Sequence, residues 1–246
     1  MRRVETVHTA FQTIEVWKSP TATEFRVAGA IHAWHHSHRF LTGLAWDLIA
    51  ASCLLHPLRE PASILMLGLA GGTACRTLRH LLPNCHITAI DIDPELIDLA
   101  HSHMQLGKLD LEIITTDAYP WLARNKRRFD AVFDDIYLAG KADVFRSRTW
   151  DQELLEHLRR ALRPDGILGI NLVTGPGHRT MQSLTRKAIR TAFPTVRSLR
   201  TADSLNETLV AGTQLARPAT LSHYLPEFEH WQDRELWQRI RSEKLQ

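Results

Sequence analysis

A glycine-rich loop and the acids that follow it carry the chemistry of this chain. The apolar run Ile64-Leu65-Met66-Leu67 ends in Gly68-Leu69-Ala70-Gly71-Gly72-Thr73, and a second apolar run from His86 to Ile90 ends in Asp91-Ile92-Asp93. Glycines let backbone approach a ligand closely, a helix start offers unpaired N–H groups, and an acid about 20 residues on can accept from both hydroxyls of a ribose. The pattern predicts a nucleoside-containing ligand. Asp134 and Asp135 end a later strand-like run, where a parallel sheet places its chemistry. Adjacent strand residues point to opposite faces, so one of these two acids reaches the pocket. Asp135 is the expected one, as a general base on an amine or hydroxyl, or as a counter-charge to a nearby cation. Tyr137 either walls the pocket, where its ring could attract a cation, or packs in the core. Asn171 either faces the same place or caps the turn after it.

The segment His32-Ala33-Trp34-His35-His36-Ser37-His38-Arg39 is odd in composition. A helix would gather His32, His35 and His36 on one face; a strand would gather His32, Trp34, His36 and His38. Nearby acids or cysteines that would complete a ligand set are missing, so no metal is expected. A pocket or acid/base role falls first on His32, with surface or interface packing as the alternative.

The elements that must position these residues follow from periodicity. Phe11 to Trp17 and Glu24 to Ile31 alternate like strands, and a helix is expected from Leu41 to Leu55, stopped by Pro57 and Pro61. Strands at Ile64–Leu67, His86–Ile90, Leu111–Thr115, Ala131–Asp134 and Ile167–Val173 then alternate with helices at Thr73–Leu82, Pro94–Met104, Tyr119–Arg124 and Trp150–Leu162. Asp93 is an N-cap candidate with Pro94 as first helical residue, and Pro164-Asp165-Gly166 a turn. Strands separated by helices imply a parallel sheet covered on both faces. After a helix over Arg179–Ala192, Thr195–Leu199 and Glu207–Ala211 are joined too tightly for a helical crossover, so the last strand should run antiparallel. The tail from Tyr224 to Gln246 reads as a helix carrying Trp231 and Trp237. These elements divide into an N-terminal β appendage with its lead-in helix (1–60), a Rossmann-like ligand-binding domain (61–215) and a helical tail (216–246).

With 44% hydrophobic and 23% charged residues among 246, the chain is an ordinary globular protein. Its net charge of +3 is too slight to argue for nucleic acid as a partner. Its start lacks an apolar signal-type core and its runs fall short of the roughly 18 apolar residues of a membrane span, so it is expected in the cytoplasm. Cys53, Cys75 and Cys85 lack metal-type spacing and suit a reducing compartment.

Taken together in order, the Phe11-Gln12-x-Ile14 lead-in, the Gly68 loop, Ile90-Asp91-Ile92-Asp93, Thr116-Asp117-Ala118, Phe129-Asp130-Ala131-Val132 and Leu162-Arg163-Pro164-Asp165-Gly166 resemble the spermidine synthase-like branch of the class I S-adenosylmethionine-dependent methyltransferases. The resemblance implies an α/β fold: a Rossmann-like seven-stranded class I methyltransferase sheet with a small N-terminal β appendage. It implies S-adenosylmethionine, or its decarboxylated form, as the bound cofactor. Gly68, Gly71 and Gly72 would pack against its ribose and amino-acid portion, Asp91 would accept the ribose hydroxyls, and Asp117 with the Ala118 N–H would read the adenine. The Gly-x-x-Gly-Gly spacing, with no Lys-Ser/Thr after it, separates the loop from dinucleotide and P-loop patterns.

Aminopropyltransferases carry Asp-x-x-Asp after the fourth strand, the first acid deprotonating the attacking amine and the second holding the substrate's cationic end. Here that register reads Asp135-Ile136-Tyr137-Leu138, so the second acid is absent. The family's ligand-binding glutamine position falls on His32. Asp134-Asp135-Ile136-Tyr137 lacks both prolines of the Asp-Pro-Pro-Tyr signature, which lowers a nucleic-acid reading further. The leading expectation is methyl transfer to a small-molecule nucleophile, with Asp135, Tyr137 and His32 as the catalytic candidates. The alternatives are aminopropyl transfer to an amine acceptor, and a non-catalytic nucleoside-binding protein. Relatives commonly dimerise, which makes a homodimer the expected assembly.

Overall fold

The computed structural model describes residues 1–58, 60–139, 144–146, 148, 150–202 and 204–245. The first four strands, β1 (Arg2–His8), β2 (Thr13–Lys18), β3 (Ala22–Val27) and β4 (Ala30–His36), form an antiparallel sheet in chain order. Alternation buries Ile14, Val16, Phe25, Val27 and Ala33, and these pack into the same contiguous core as Leu48, Ile64 and Leu81. Ala28 and Gly29, at φ +49° and +84°, make the tight β3–β4 turn, where two successive positive φ values match the twist of the strands.

Helix α1 (Ala45–Cys53) starts later than the expected Leu41. Gly43 adopts φ +79°, and the buried Asp47 carboxylate accepts from the N–H groups of Thr42 at 3.0 Å and Gly43 at 2.6 Å. Asp233, far along the chain, accepts from the N–H groups of Phe40 and Leu41. With their donors pointed at these carboxylates, residues 40–43 are held outside the helix.

The main sheet has the order β14-β12-β13-β11-β8-β5-β6-β7. Its parallel part comprises β5 (Ser63–Leu67), β6 (His86–Asp91), β7 (Glu112–Thr115), β8 (Phe129–Asp134) and β11 (Leu162–Val173). Ile64 to Leu67 are all buried, as strands covered on both faces require. Helices α2 (Thr73–Leu81), α3 (Pro94–His103), α4 (Ala118–Arg124) and α5 (Gln152–Arg160) connect them. Asp93, Asp117 and Asp151 cap α3, α4 and α5 by accepting from Leu96, Tyr119 and Leu154 N–H groups. A two-residue ladder that periodicity did not reveal, β9 (Leu138–Ala139) with β10 (Val144–Phe145), follows β8.

Pro164-Asp165-Gly166 is not a separate turn: β11 begins at Leu162, and its register against β8 shifts between Leu162 and Ile167 to accommodate these residues. After α6 (Arg179–Ala192) and β12 (Thr195–Arg200), β13 (Asn206–Gly212) runs antiparallel to both neighbours, as expected. The tail departs from a single helix. A 3-10 segment over Pro218–Glu227 contains Pro226, α7 spans Trp231–Arg239, and β14 (Arg241–Lys244) pairs with the edge of β12, adding an eighth strand to the expected seven. Gln246 lies outside the described residues. Among the described residues no helix is long and apolar enough to cross a membrane.

Candidate active site

The carboxyl edges of β5, β6, β8 and β11 open onto a cavity of about 510 Å³, a size suited to a small organic ligand. Sheet order sets its axis. Asp91 and Asp117 follow β6 and β7 on one side, Asp135 follows β8 in the middle, and Asn171, Val173 and Asn206 from β11 and β13 lie on the other.

At the turn out of β5, Gly68 has φ +88°, and a Cβ there would lie 2.5 Å from the Asp135 carbonyl oxygen. Only glycine lets this turn pack so closely on the chain leaving β8. The Asp135 N–H on the Leu67 carbonyl stitches this contact, and the Gly68 N–H on the Ile90 carbonyl ties the turn to β6, both at 2.9 Å. Gly68, Leu69 and Ala70 line the cavity. Gly71 and Gly72 do not: a Cβ on Gly71 would strike Met104 and Ala33, and one on Gly72 would strike Leu106. Their need for glycine is packing of the loop against β4 and the chain beyond α3. Thr73 bonds both the N–H and the carbonyl of Trp34, which fixes β4 over the loop.

Asp91 shapes the loop. Its Oδ2 accepts from the N–H groups of Leu69 at 2.9 Å and Ala70 at 2.8 Å, while Oδ1 accepts from Asp93 N–H at 3.1 Å and keeps a lone pair for a further donor. Asp93 is committed to structure, taking Leu96 N–H on one oxygen and the Thr9 hydroxyl on the other. Asp117 caps α4 through the Tyr119 N–H at 3.0 Å and also lines the cavity beside Ala118.

Asp134 and Asp135 part to opposite faces. Asp134 is buried and paired with Arg146 at 2.5 Å. Asp135 faces the cavity and accepts from Asn171 Nδ2 at 2.7 Å. Asn171 Oδ1 in turn accepts from Asn206 Nδ2 at 3.0 Å, so Asn171 orients Asp135 instead of capping a turn. Burial pushes the Asp135 carboxyl up to about 7; the Asn171 bond pulls it down, Asp134 pushes it up and Arg146 pulls it down.

Tyr137 lines the cavity, with its hydroxyl donating to the Asn171 carbonyl at 2.9 Å and accepting from Val173 N–H at 3.1 Å. Arg146 lies 5.3 Å from its ring centroid, so the cation expected over this ring is the protein's own. Tyr137 is a fixed wall.

The histidine-rich segment lies on β4 and divides. His32 reaches the cavity, where burial lowers its pKa and favours the neutral ring. His35 is turned inward, and burial, followed by Arg76, pushes it down to about 4. Trp34 and His36 stack at 5.5 Å between ring centroids. Among the described residues no group of three or more His, Cys, Asp or Glu side chains could hold a metal ion. Cys53, Cys75 and Cys85 are buried and unpaired.

Comparison with known proteins places this geometry. Residues 64–166 match the methyltransferase domain family. A probable polyamine aminopropyl transferase of Bifidobacterium longum is 28% identical over 169 residues, covering 68% of this chain and 36% of that protein. An eEF1A lysine and N-terminal methyltransferase homolog of Drosophila melanogaster is 27% identical over 169 residues, covering 64% of this chain and 24% of that protein. The matched stretch is therefore well under half the length of either relative. A spermidine synthase in complex with the transition-state analogue AdoDATO superposes with a TM-score of 0.71 at 16% identity, over 93% of this chain and 80% of that one. Human methyltransferase-like protein 13 in complex with SAH superposes with a TM-score of 0.58 at 20% identity, over 79% of this chain and 91% of that one. These likenesses are to spermidine synthase-like and methyltransferase proteins, and the solved ones share this chain's Rossmann-like fold.

The side of the cavity beyond Asp135 departs from that resemblance in what lines it. Leu138 is there, where the resemblance expects a second acid, together with Leu44, Trp46, Val173 and Leu205. Motif reading missed Leu44, Trp46, Leu205 and Asn206, because they share no local spacing with Asp135. Trp46 carried a faint signal, a large aromatic in the first turn of a helix that follows a tight turn.

Proposed function

We propose that this chain is an S-adenosylmethionine-dependent transferase that moves a methyl group to a small-molecule nucleophile. The observation that carries the reading is a cavity with Asp91 and Asp117 on the β6 side and a single acid, Asp135, facing Leu138 and apolar side chains beyond it. The residues present suit the ligand. Asp91 Oδ1 retains acceptor capacity for ribose hydroxyls, for which a charge-assisted O–H···O⁻ bond is the fitting reader. Asp117 and the first-turn N–H of Ala118 would meet the adenine, and the turn at Gly68 to Ala70 would meet the amino-acid portion.

Bound S-adenosylmethionine supplies a methyl group that leaves its sulfonium for the acceptor, with S-adenosylhomocysteine as the other product. Asp135, its carboxyl raised to about 7, takes in its ionised form the proton that the acceptor's N–H or O–H loses and later gives it to solvent. Asn171 holds the carboxylate by one oxygen, which leaves the other for the acceptor. The walls formed by Tyr137 and the β4 strand fix the acceptor's approach, and alignment supplies much of the rate.

The names of several relatives favour a second reading, aminopropyl transfer from decarboxylated S-adenosylmethionine to an amine, with the same Asp135 as base. Products separate the two. Incubation of the purified chain with each sulfonium and a fractionated small-molecule extract is expected to release S-adenosylhomocysteine. Release of methylthioadenosine instead would establish the second reading, and binding of the sulfonium with neither product would leave a nucleoside-binding protein.

A further inference from the structure

We infer that the acceptor is a molecule with an apolar body, one nucleophilic nitrogen or oxygen and at most one positive charge, in place of a polyamine. The inference rests on the transferase reading and specifies the substrate class of the same site.

Charge is the first argument. Beyond Asp135, toward β11 and β13, the described lining residues carry no second carboxylate: Leu138, Val173, Leu44 and Trp46 are apolar, and Asn171 and Asn206 are neutral amides already bonded to each other. His32, which also lines the cavity and whose pKa burial lowers, offers no negative charge either. An acceptor with one amine can pass its proton to Asp135 as it reacts. A second ammonium farther along would be buried against leucine, valine and tryptophan with no counter-charge among the described lining residues, at a cost that hydrocarbon contacts do not return.

The mouth supplies the second argument. Phe11, Ile31 and Leu205 are 40%, 36% and 75% exposed, and all three line the same cavity. Large apolar side chains left open to water around a cavity fit a ligand whose own body is apolar. The three come from the β1–β2 turn, β4 and the residue before β13.

The test uses two ligands of equal length, heptylamine and hexamethylenediamine, which differ by a terminal methyl against a terminal ammonium. Each is titrated calorimetrically into the full chain saturated with S-adenosylhomocysteine, after that nucleoside has itself been titrated. Heptylamine is expected to bind at least about tenfold more tightly than the diamine, the discrimination of one unpaired buried charge taken conservatively. In Leu138→Asp, with nucleoside affinity retained as the check on folding, the diamine should gain about tenfold and the preference narrow or reverse. A diamine that binds the wild-type chain as tightly as heptylamine, or no binding of either, overturns the inference and leaves the transferase reading standing. Failure of S-adenosylhomocysteine itself to bind removes that reading and the inference with it.

Discussion

Toward β6 the cavity is lined by the turn after β5 and by acids that also hold the chain in shape; toward β11 it is made of side chains brought together from distant segments. Asp91 sets the loop after β5 through the Leu69 and Ala70 N–H groups, and Asp117 caps α4, so in the proposed site each acid serves the fold and also faces the cavity. Asp135, by contrast, is held by Asn171, itself held by Asn206, and is walled by Trp46 from α1 and Leu138 from β9. The first side can change little without losing the loop. The second can be rebuilt side chain by side chain, which is how one fold keeps its ligand and alters its acceptor.

Substitutions can break this contrast. The largest effect is expected at Asp135→Asn, where turnover should fall by about 10³ while sulfonium affinity stays within about twofold, because the amide keeps the shape and loses the base. Product release and calorimetry measure the two separately. At Asp91→Ala the effect should move to binding: sulfonium affinity should drop by about 10², the loss of a charged hydrogen-bond acceptor, with a lower melting temperature because the Leu69 and Ala70 N–H groups lose their partner.

A pH profile sharpens the contrast. The Asp135 carboxyl is raised to about 7 and works as a base only when ionised, so kcat/KM should rise about tenfold per pH unit below 7 and level off above it. A profile flat from pH 5 to 9 would remove Asp135 from the chemistry. Asn171→Ala should move that rise to higher pH, since its hydrogen bond lowers the Asp135 pKa, and should cut the neutral-pH rate by about tenfold. A merely structural Asn171 would change the rate without moving the midpoint. The smallest effect is expected for His32→Ala, a fall of about threefold in kcat/KM for the acceptor with sulfonium affinity unchanged, as suits a neutral wall residue.

The same contrast explains what the sequence discloses. The strands from Ile64 to Val173, the Asp93 cap and the antiparallel last strand are local patterns of periodicity and turn length, and they read directly. That Gly68, Asp91, Asp117 and Asp135 line one cavity reads as well, because each sits where a strand of the sheet ends. The tail did not read: Arg241 to Lys244 are polar and mostly exposed, and only the open edge of β12 makes them a strand. The start of α1 was hidden because Asp233, nearly 200 residues away, holds the chain before it. Gly71 and Gly72 looked like ligand contacts, but their neighbours Met104, Ala33 and Leu106 come from other elements. For Asn171 the sequence left two places open, the site or a turn, and its hold on Asp135 was hidden, since its two partners are Asp135 and Asn206, 36 and 35 residues distant.

The most direct measurement is calorimetric titration of the purified chain with S-adenosylmethionine and, separately, with its decarboxylated form. The two differ by one carboxylate, at the end of the ligand where methyl and aminopropyl transfer part. Tighter binding of the intact ligand is the predicted result. Tighter binding of the decarboxylated ligand would contradict methyl transfer, and binding of neither would contradict the site itself.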